Sequence, residues 1–156
     1  MFKKISIILL SFLCVVIFVA CGNEKSSKNT ESSNKIKVNE ELAFQNFKVT
    51  VNEVNVYEKD GKNYIDLPIK WLNQSFEDKT TFLAATSMDV KQGEKLLNEA
   101  NGAWSDKQSD VYSTNAVGGE WKVKLTYELT NLDDDVDVTF VPTSGEESQS
   151  ITIKIK

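Results

Sequence analysis

The densest group of side chains able to do chemistry is Asp133, Asp134, Asp135 and Asp137. Converging carboxylates bind Ca²⁺ through several oxygens at once. An EF-hand loop opening at Asp133 would need Gly at its sixth position and Glu at its twelfth, where the chain has Val138 and Ser144. Strand alternation instead points Asp135 and Asp137 away from Val136 and Val138, toward water, which leaves the pair only a weak candidate for a cation. The remaining inventory closes off most catalysis. There is no His, so neither a Ser-His-Asp triad nor an imidazole metal site can form. All 18 basic residues are Lys. Without Arg there is no guanidinium fork for phosphates or guanines, and with a formal charge of −5 nucleic acid is an unsuitable partner. No catalytic residue, no enzyme activity and no bound cofactor are expected.

Two cysteines remain, Cys14 and Cys21. Lys3 and Lys4 precede an apolar run, Ile5 to Ala20, of 16 residues, interrupted only by Ser6 and Ser11. That length suits the core of a signal peptide and is short of the ~20 residues of a permanent membrane helix. The run ends at Phe18-Val19-Ala20-Cys21-Gly22, and polar sequence follows at once. A small residue before Cys and Gly after it resembles the signal peptides of bacterial lipoproteins, with Phe18 standing where Leu is usual. The resemblance implies removal of residues 1–20 and attachment of a diacylglycerol, with fatty acid such as palmitate, at Cys21. Two or more acyl chains give stable anchoring. The expected location is therefore the outer face of the bacterial cytoplasmic membrane. Cys14 leaves with the signal peptide, so no disulfide is expected in the mature chain. Removing Lys3 and Lys4 leaves 16 Lys against 23 acids, a formal −7.

Residues 21–40 read as the lipidated Cys and a flexible linker, because Ser, Asn, Lys and Glu dominate and little apolar surface is available to offset ordering. Such a leash spans roughly 25 Å.

From residue 41 to 156 the dominant period is two, the mark of strands. Phe47, Val49 and Val51 alternate with polar neighbours, and Val54 and Val56 continue in the opposite parity, so a bulge is expected at Asn52-Glu53. Asp60-Gly61 is a hairpin-turn pair. Ile65, Leu67, Ile69 and Trp71 alternate next, with Pro68 marking an edge strand or a solvent-facing position. Short strands follow at Met88 and Val90 and at Leu96-Leu97, with Glu94 to Ala100 an alternative helical turn. Residues 98–117 are irregular and carry Trp104 and Tyr112, candidate contact residues on a binding loop. Trp121, Val123, Leu125, Tyr127 and Leu129 form the most regular strand, and Trp71 and Trp121 are both assigned to the buried face. Val136, Val138 and Phe140, then Ile151, Ile153 and Ile155, complete about seven strands. Lys154 and Lys156 on the last strand discourage edge pairing. The expected fold is all-β, an antiparallel immunoglobulin-like β-sandwich.

The segments "VNVYEKDGKNYIDLPIKWLNQS", "DVKQGEKL" and "VGGEWKVKLTYEL" resemble the DUF5067 domains of Firmicute lipoproteins. That group is related in style to DUF4352 and telokin-like domains of immunoglobulin-like fold. The resemblance covers about residues 44–156 and implies a fold and a location, with no assigned chemistry. The functional expectation is a membrane-anchored extracytoplasmic module that binds a protein or peptide ligand. The alternative is a self-immunity or exclusion lipoprotein that captures a cationic antimicrobial peptide, to which an acidic domain would be attractive.

Overall fold

The computed structural model describes residues 33–74, 79–100, 111 and 113–156. The expected signal peptide (1–20), Cys14, Cys21 and residues 22–32 of the expected linker lie outside the described residues.

Two four-stranded antiparallel sheets pack their apolar faces together. The first contains β1 (Ser33–Ala43), β2 (Phe47–Lys59), β3 (Lys62–Asn73) and β6 (Glu120–Glu128), in the order β1-β2-β3-β6. The second contains β4 (Thr86–Gln92), β5 (Lys95–Leu96), β7 (Val136–Pro142) and β8 (Gln149–Ile153), in the order β5-β4-β7-β8. The two-residue period decides which side chains meet between them. Val49, Val51, Ile65, Leu67, Ile69 and Trp71 from the first sheet join Val90, Val138, Phe140 and Ile153 from the second in one buried cluster. Each such side chain contributes about 1.5–3 kcal/mol through burial.

The Asp60-Gly61 turn forms as expected, with φ of 52° and 75°. Positive φ at both central positions gives the hairpin the twist of its strands. The turn fixes the register Tyr57↔Tyr64 and Asn55↔Asp66. The parity change in β2 is also real. Asn52, Glu53 and Val54 of β2 stand opposite only Leu67 and Pro68 of β3.

That bulge corrects the expectation of an edge position for β3. The strand is central, flanked by β2 and β6. Pro68 is accommodated there because it sits where the β2 ladder is interrupted, and its ring faces solvent.

Three other features differ from the sequence expectation. β1 begins at Ser33, inside the stretch 21–40 assigned to the linker, which gives eight strands instead of seven. Ile36, Val38 and Leu42 are too few to signal a strand alone, yet they rest partly buried against the core while β2 satisfies the backbone. Trp121 shares the inward face of its partner Trp71, but it is 37% exposed while Trp71 is fully buried. β6 is an outer strand, so the Trp121 ring has a neighbouring strand on one side only. A helix does occur, but at Phe82–Ala85 and not at Glu94–Ala100. This single turn, α1, is capped by Thr81, whose hydroxyl accepts the Ala84 N–H at 3.2 Å. It delivers Phe82 edge-on to Trp71, with ring centroids 6.2 Å apart.

Candidate functional site

The acidic turn between β6 and β7 is built from the inside. Gln92, nearly fully buried at the end of β4, donates to the carbonyls of Asn131 and Asp134 at 3.0 and 2.9 Å. Its Oε1 accepts the N–H and hydroxyl of Thr130 at 2.8 and 2.7 Å, and the Asn131 N–H at 3.3 Å. Asn131 Oδ1 then accepts the N–H groups of Asp133 and Asp134, turning the chain as an Asx motif. Every carboxylate of the group has a local partner. Asp133 pairs with Lys156 at 2.6 Å and Asp135 with Lys154 at 2.7 Å. Asp134 accepts from Asn131 Nδ2 at 3.0 Å, and Asp137 from the Thr152 hydroxyl at 2.6 Å. The hydrogen bond to Asp135, with the charges of Asp135 and Asp137, raises the Lys154 ammonium above its ordinary pKa. Among the described residues no group of three or more His, Cys, Asp or Glu side chains is placed to hold a metal ion. Asp135 and Asp137 are committed to Lys154 and Thr152.

The outer face of the first sheet carries a different arrangement. Register places Lys35, Asn55, Asp66 and Thr126 in one row across β1, β2, β3 and β6, with Ser33, Tyr57, Tyr64 and Glu128 in the next. The Asp66 side chain is only 16% exposed. Its Oδ1 accepts from the Thr126 hydroxyl at 2.7 Å and, more weakly, the Tyr57 hydroxyl at 3.4 Å, while Lys124 Nζ lies 3.4 Å from Oδ2. The rings of Tyr57 and Tyr64 stack with centroids 5.6 Å apart. Asn55, directly after the β2 bulge, has a buried Oδ1 with no hydrogen-bond partner among the described residues. Leaving such an acceptor unmet costs about 1–3 kcal/mol.

Part of this face borders a shallow hollow, open to solvent, of about 480 Å³ and lined by Ser33, Asn55, Tyr57, Lys59 and Asp66. A smaller cleft of about 160 Å³ adjoins at Tyr57 and reaches Asn63, Leu132 and Ile155. The hollow begins directly after the bulge, a feature that bends its strand and increases the local twist. The wall holds one carboxylate, one ammonium, an amide, a phenol and a hydroxyl. It can accept and donate hydrogen bonds over a small area beside a stacked aromatic pair.

None of the hollow's residues was singled out from the sequence. Half of the arrangement was nevertheless encoded locally, since a two-residue turn at Asp60-Gly61 forces Tyr57 opposite Tyr64 and Asn55 opposite Asp66. Thr126 and Lys124 arrive from β6, far along the chain, and no local signal announces them.

The sequence candidates Cys21, Trp104 and Tyr112 lie outside the described residues. The segment that follows Tyr112 is pinned by Asn73 and Asn115. The Asn115 and Thr80 backbones exchange hydrogen bonds of 2.7 and 3.1 Å, Asn73 Nδ2 donates to the Asn115 carbonyl at 2.9 Å, and Asn115 Nδ2 donates to the Gly119 carbonyl at 2.6 Å. A Cβ on Gly119 would lie 2.0 Å from Asn115 Oδ1, which accounts for that glycine. The Asn that ends β3 is thus a structural pin.

Solved structures share this architecture at low sequence identity. A candidate lipoprotein from Staphylococcus aureus superposes with a TM-score of 0.57 at 16% identity, covering 80% of this chain and 94% of that one. A conserved hypothetical protein from Bacillus anthracis gives 0.57 at 14% identity, covering 78% and 99%. A protein of unknown function from Listeria monocytogenes gives 0.58 at 14% identity, covering 81% and 89%. At these identities the likeness is one of fold. No curated protein matches the sequence. The family model described as a domain of unknown function, DUF5067, matches residues 22–142, and the chain belongs to that family.

Proposed function

We propose that this protein is a lipoprotein held at the outer face of the bacterial cytoplasmic membrane through Cys21, and that its immunoglobulin-like sandwich is a binding module. The observation that carries the binding reading is the hollow on the first sheet, whose wall brings the side chains of Asn55, Tyr57, Lys59 and Asp66 to one place. Convergent polar groups in a concavity are the ordinary form of a ligand site. The anchoring reading rests on the apolar run that ends at Ala20-Cys21. It is also supported by a fold shared with a protein described as a candidate lipoprotein. Ser33, the first residue of β1, is itself one of the residues that line the hollow.

Two measurements test it. Cys21→Ser should abolish incorporation of labelled fatty acid and release the protein from membranes into the medium. Envelope fragments should retain the wild-type chain and lose the Asn55→Ala/Asp66→Asn variant. Retention that is unchanged in this variant but lost on Trp104→Ala/Tyr112→Ala would move the contact surface to the irregular loop.

A further inference from the structure

We infer that the hollow takes a polyhydroxylated, sugar-like group. This rests on the binding-module reading and assigns its ligand class from the chemistry of the wall. The wall offers one negative group, Asp66, and one positive group, Lys59, with Ser33, Asn55 and Tyr57 between them. Each simpler ligand class meets a mismatch. A divalent cation needs several oxygen ligands, mostly charged, and would face the ammonium of Lys59 with Lys124 bonded to the same carboxylate. A phosphate or other anion would face Asp66. A cationic peptide, which the −7 mature charge would attract in general, is repelled locally by both lysines. An apolar ligand would strip water from five polar groups without replacing their bonds.

A polyol matches all of them. Its hydroxyls donate and accept at once, so one ligand can serve Asp66 as acceptor and Lys59 as donor. Asn55 completes the set. Its amide lies on the wall, and its Oδ1 has no hydrogen-bond partner among the described residues. Tyr57, its ring held by stacking on Tyr64, supplies an apolar surface for the C–H face of a ring, as aromatic side chains at binding sites commonly do. A free glycan and a glycolipid headgroup present this same chemistry.

The test uses the full chain, ¹⁵N-labelled and held in detergent micelles, with two probes. One is the trisaccharide of N-acetylglucosamine. The other is a phosphatidylcholine bilayer disc carrying a diglucosyl lipid, compared with discs lacking it. The expected result is movement of the Asn55, Tyr57 and Asp66 amide signals with at least one probe. Asp66→Asn and Asn55→Ala should each weaken that affinity about tenfold, as loss of one good hydrogen bond does. Asp135→Asn should leave it unchanged, and melting curves confirm that each variant folds. A response to the trisaccharide identifies a free glycan, and a response to the discs alone identifies a lipid headgroup. No movement with either probe, or equal affinity in Asp66→Asn and wild type, overturns the sugar assignment. If envelope retention still depends on Asp66 in that event, the binding module stands with a ligand of another class.

Discussion

The acidic turn and the Asp66 hollow are both carboxylate sites, and they have opposite character. The turn has four acids close together, and each is answered by Lys156, Lys154, Asn131 or Thr152 within hydrogen-bonding distance. The hollow has one acid on its wall, held by one short bond and two long ones, beside an amide oxygen with none. Density of charge along a sequence therefore says little about availability. What matters is whether register gathers different kinds of polar group around one concavity. The acids of the turn are answered by Asn131 within it and by Thr152, Lys154 and Lys156 from the last strand and the residues after it. A row across four strands gathers groups that β2 alone could not bring together.

The largest expected effect breaks the turn from within. Gln92→Ala removes a buried amide that makes five hydrogen bonds to residues 130–134. Its loss should cost about 2–4 kcal/mol in urea unfolding, with ligand binding in the hollow unchanged. Alkali strikes behind the hollow instead. Burial, then the charges of Glu99 and Asp89, push the Tyr127 phenol well above its ordinary value. The unfolded chain then releases this proton first, near pH ~10, so the stability is whole below that pH and is lost as pH rises. The slope reaches at most ~1.4 kcal/mol per pH unit, and Tyr127→Phe should flatten it in urea midpoints compared between about pH 9 and about pH 11. Lys62 and Lys154, raised by hydrogen bonds to Glu128 and Asp135, shift in the same direction and remain in the variant, so the difference isolates Tyr127.

A sharper contrast comes from matched Asp→Asn changes. Asp66→Asn should reduce retention on envelope fragments about tenfold, roughly 1.4 kcal/mol. Asp135→Asn should do nothing to it. The smallest effect is thermal. Asp133→Asn and Asp135→Asn break ion pairs whose lysines are largely in water, so each should move the melting temperature by less than the spread of replicate scans. Millimolar Ca²⁺ should likewise leave the melt of the wild-type chain in place. A calcium-induced rise in melting temperature would erase the distinction between the two regions.

Much of the sandwich was legible because its information is local. Alternation from Phe47 to Trp71 gave the buried faces, Asp60-Gly61 gave the turn, and the parity change at Asn52-Glu53 gave the bulge. What escaped was set by neighbours distant in sequence. β1 becomes a strand because β2 is there to pair with it, so Ser33 to Glu40 looked like linker. Trp121 obeys the alternation but lies on an outer strand, a position that periodicity does not encode. The four residues of α1 are too short to show a helical period. The hollow was half readable, since the turn at Asp60-Gly61 aligns Asn55 with Asp66, but Thr126 joins only through the β3–β6 pairing. The acidic turn attracted notice by its composition, while Gln92, which organises it, lies some forty positions earlier in the chain.

Pro68 has one more consequence, for misfolding. A hairpin of regular strands can slip by two residues and keep its apolar face inward. In this hairpin such a slip would move the proline out of the gap opposite Asn52–Val54 and against a β2 residue whose carbonyl needs a donor. The misaligned pairing forfeits a ladder bond, so the imino acid and the bulge together act as a key that admits one alignment. Replacing Pro68 with threonine would be compatible with the native sheet yet widen the set of competing pairings, and the cost would fall on refolding yield and aggregation more than on the stability of the finished fold.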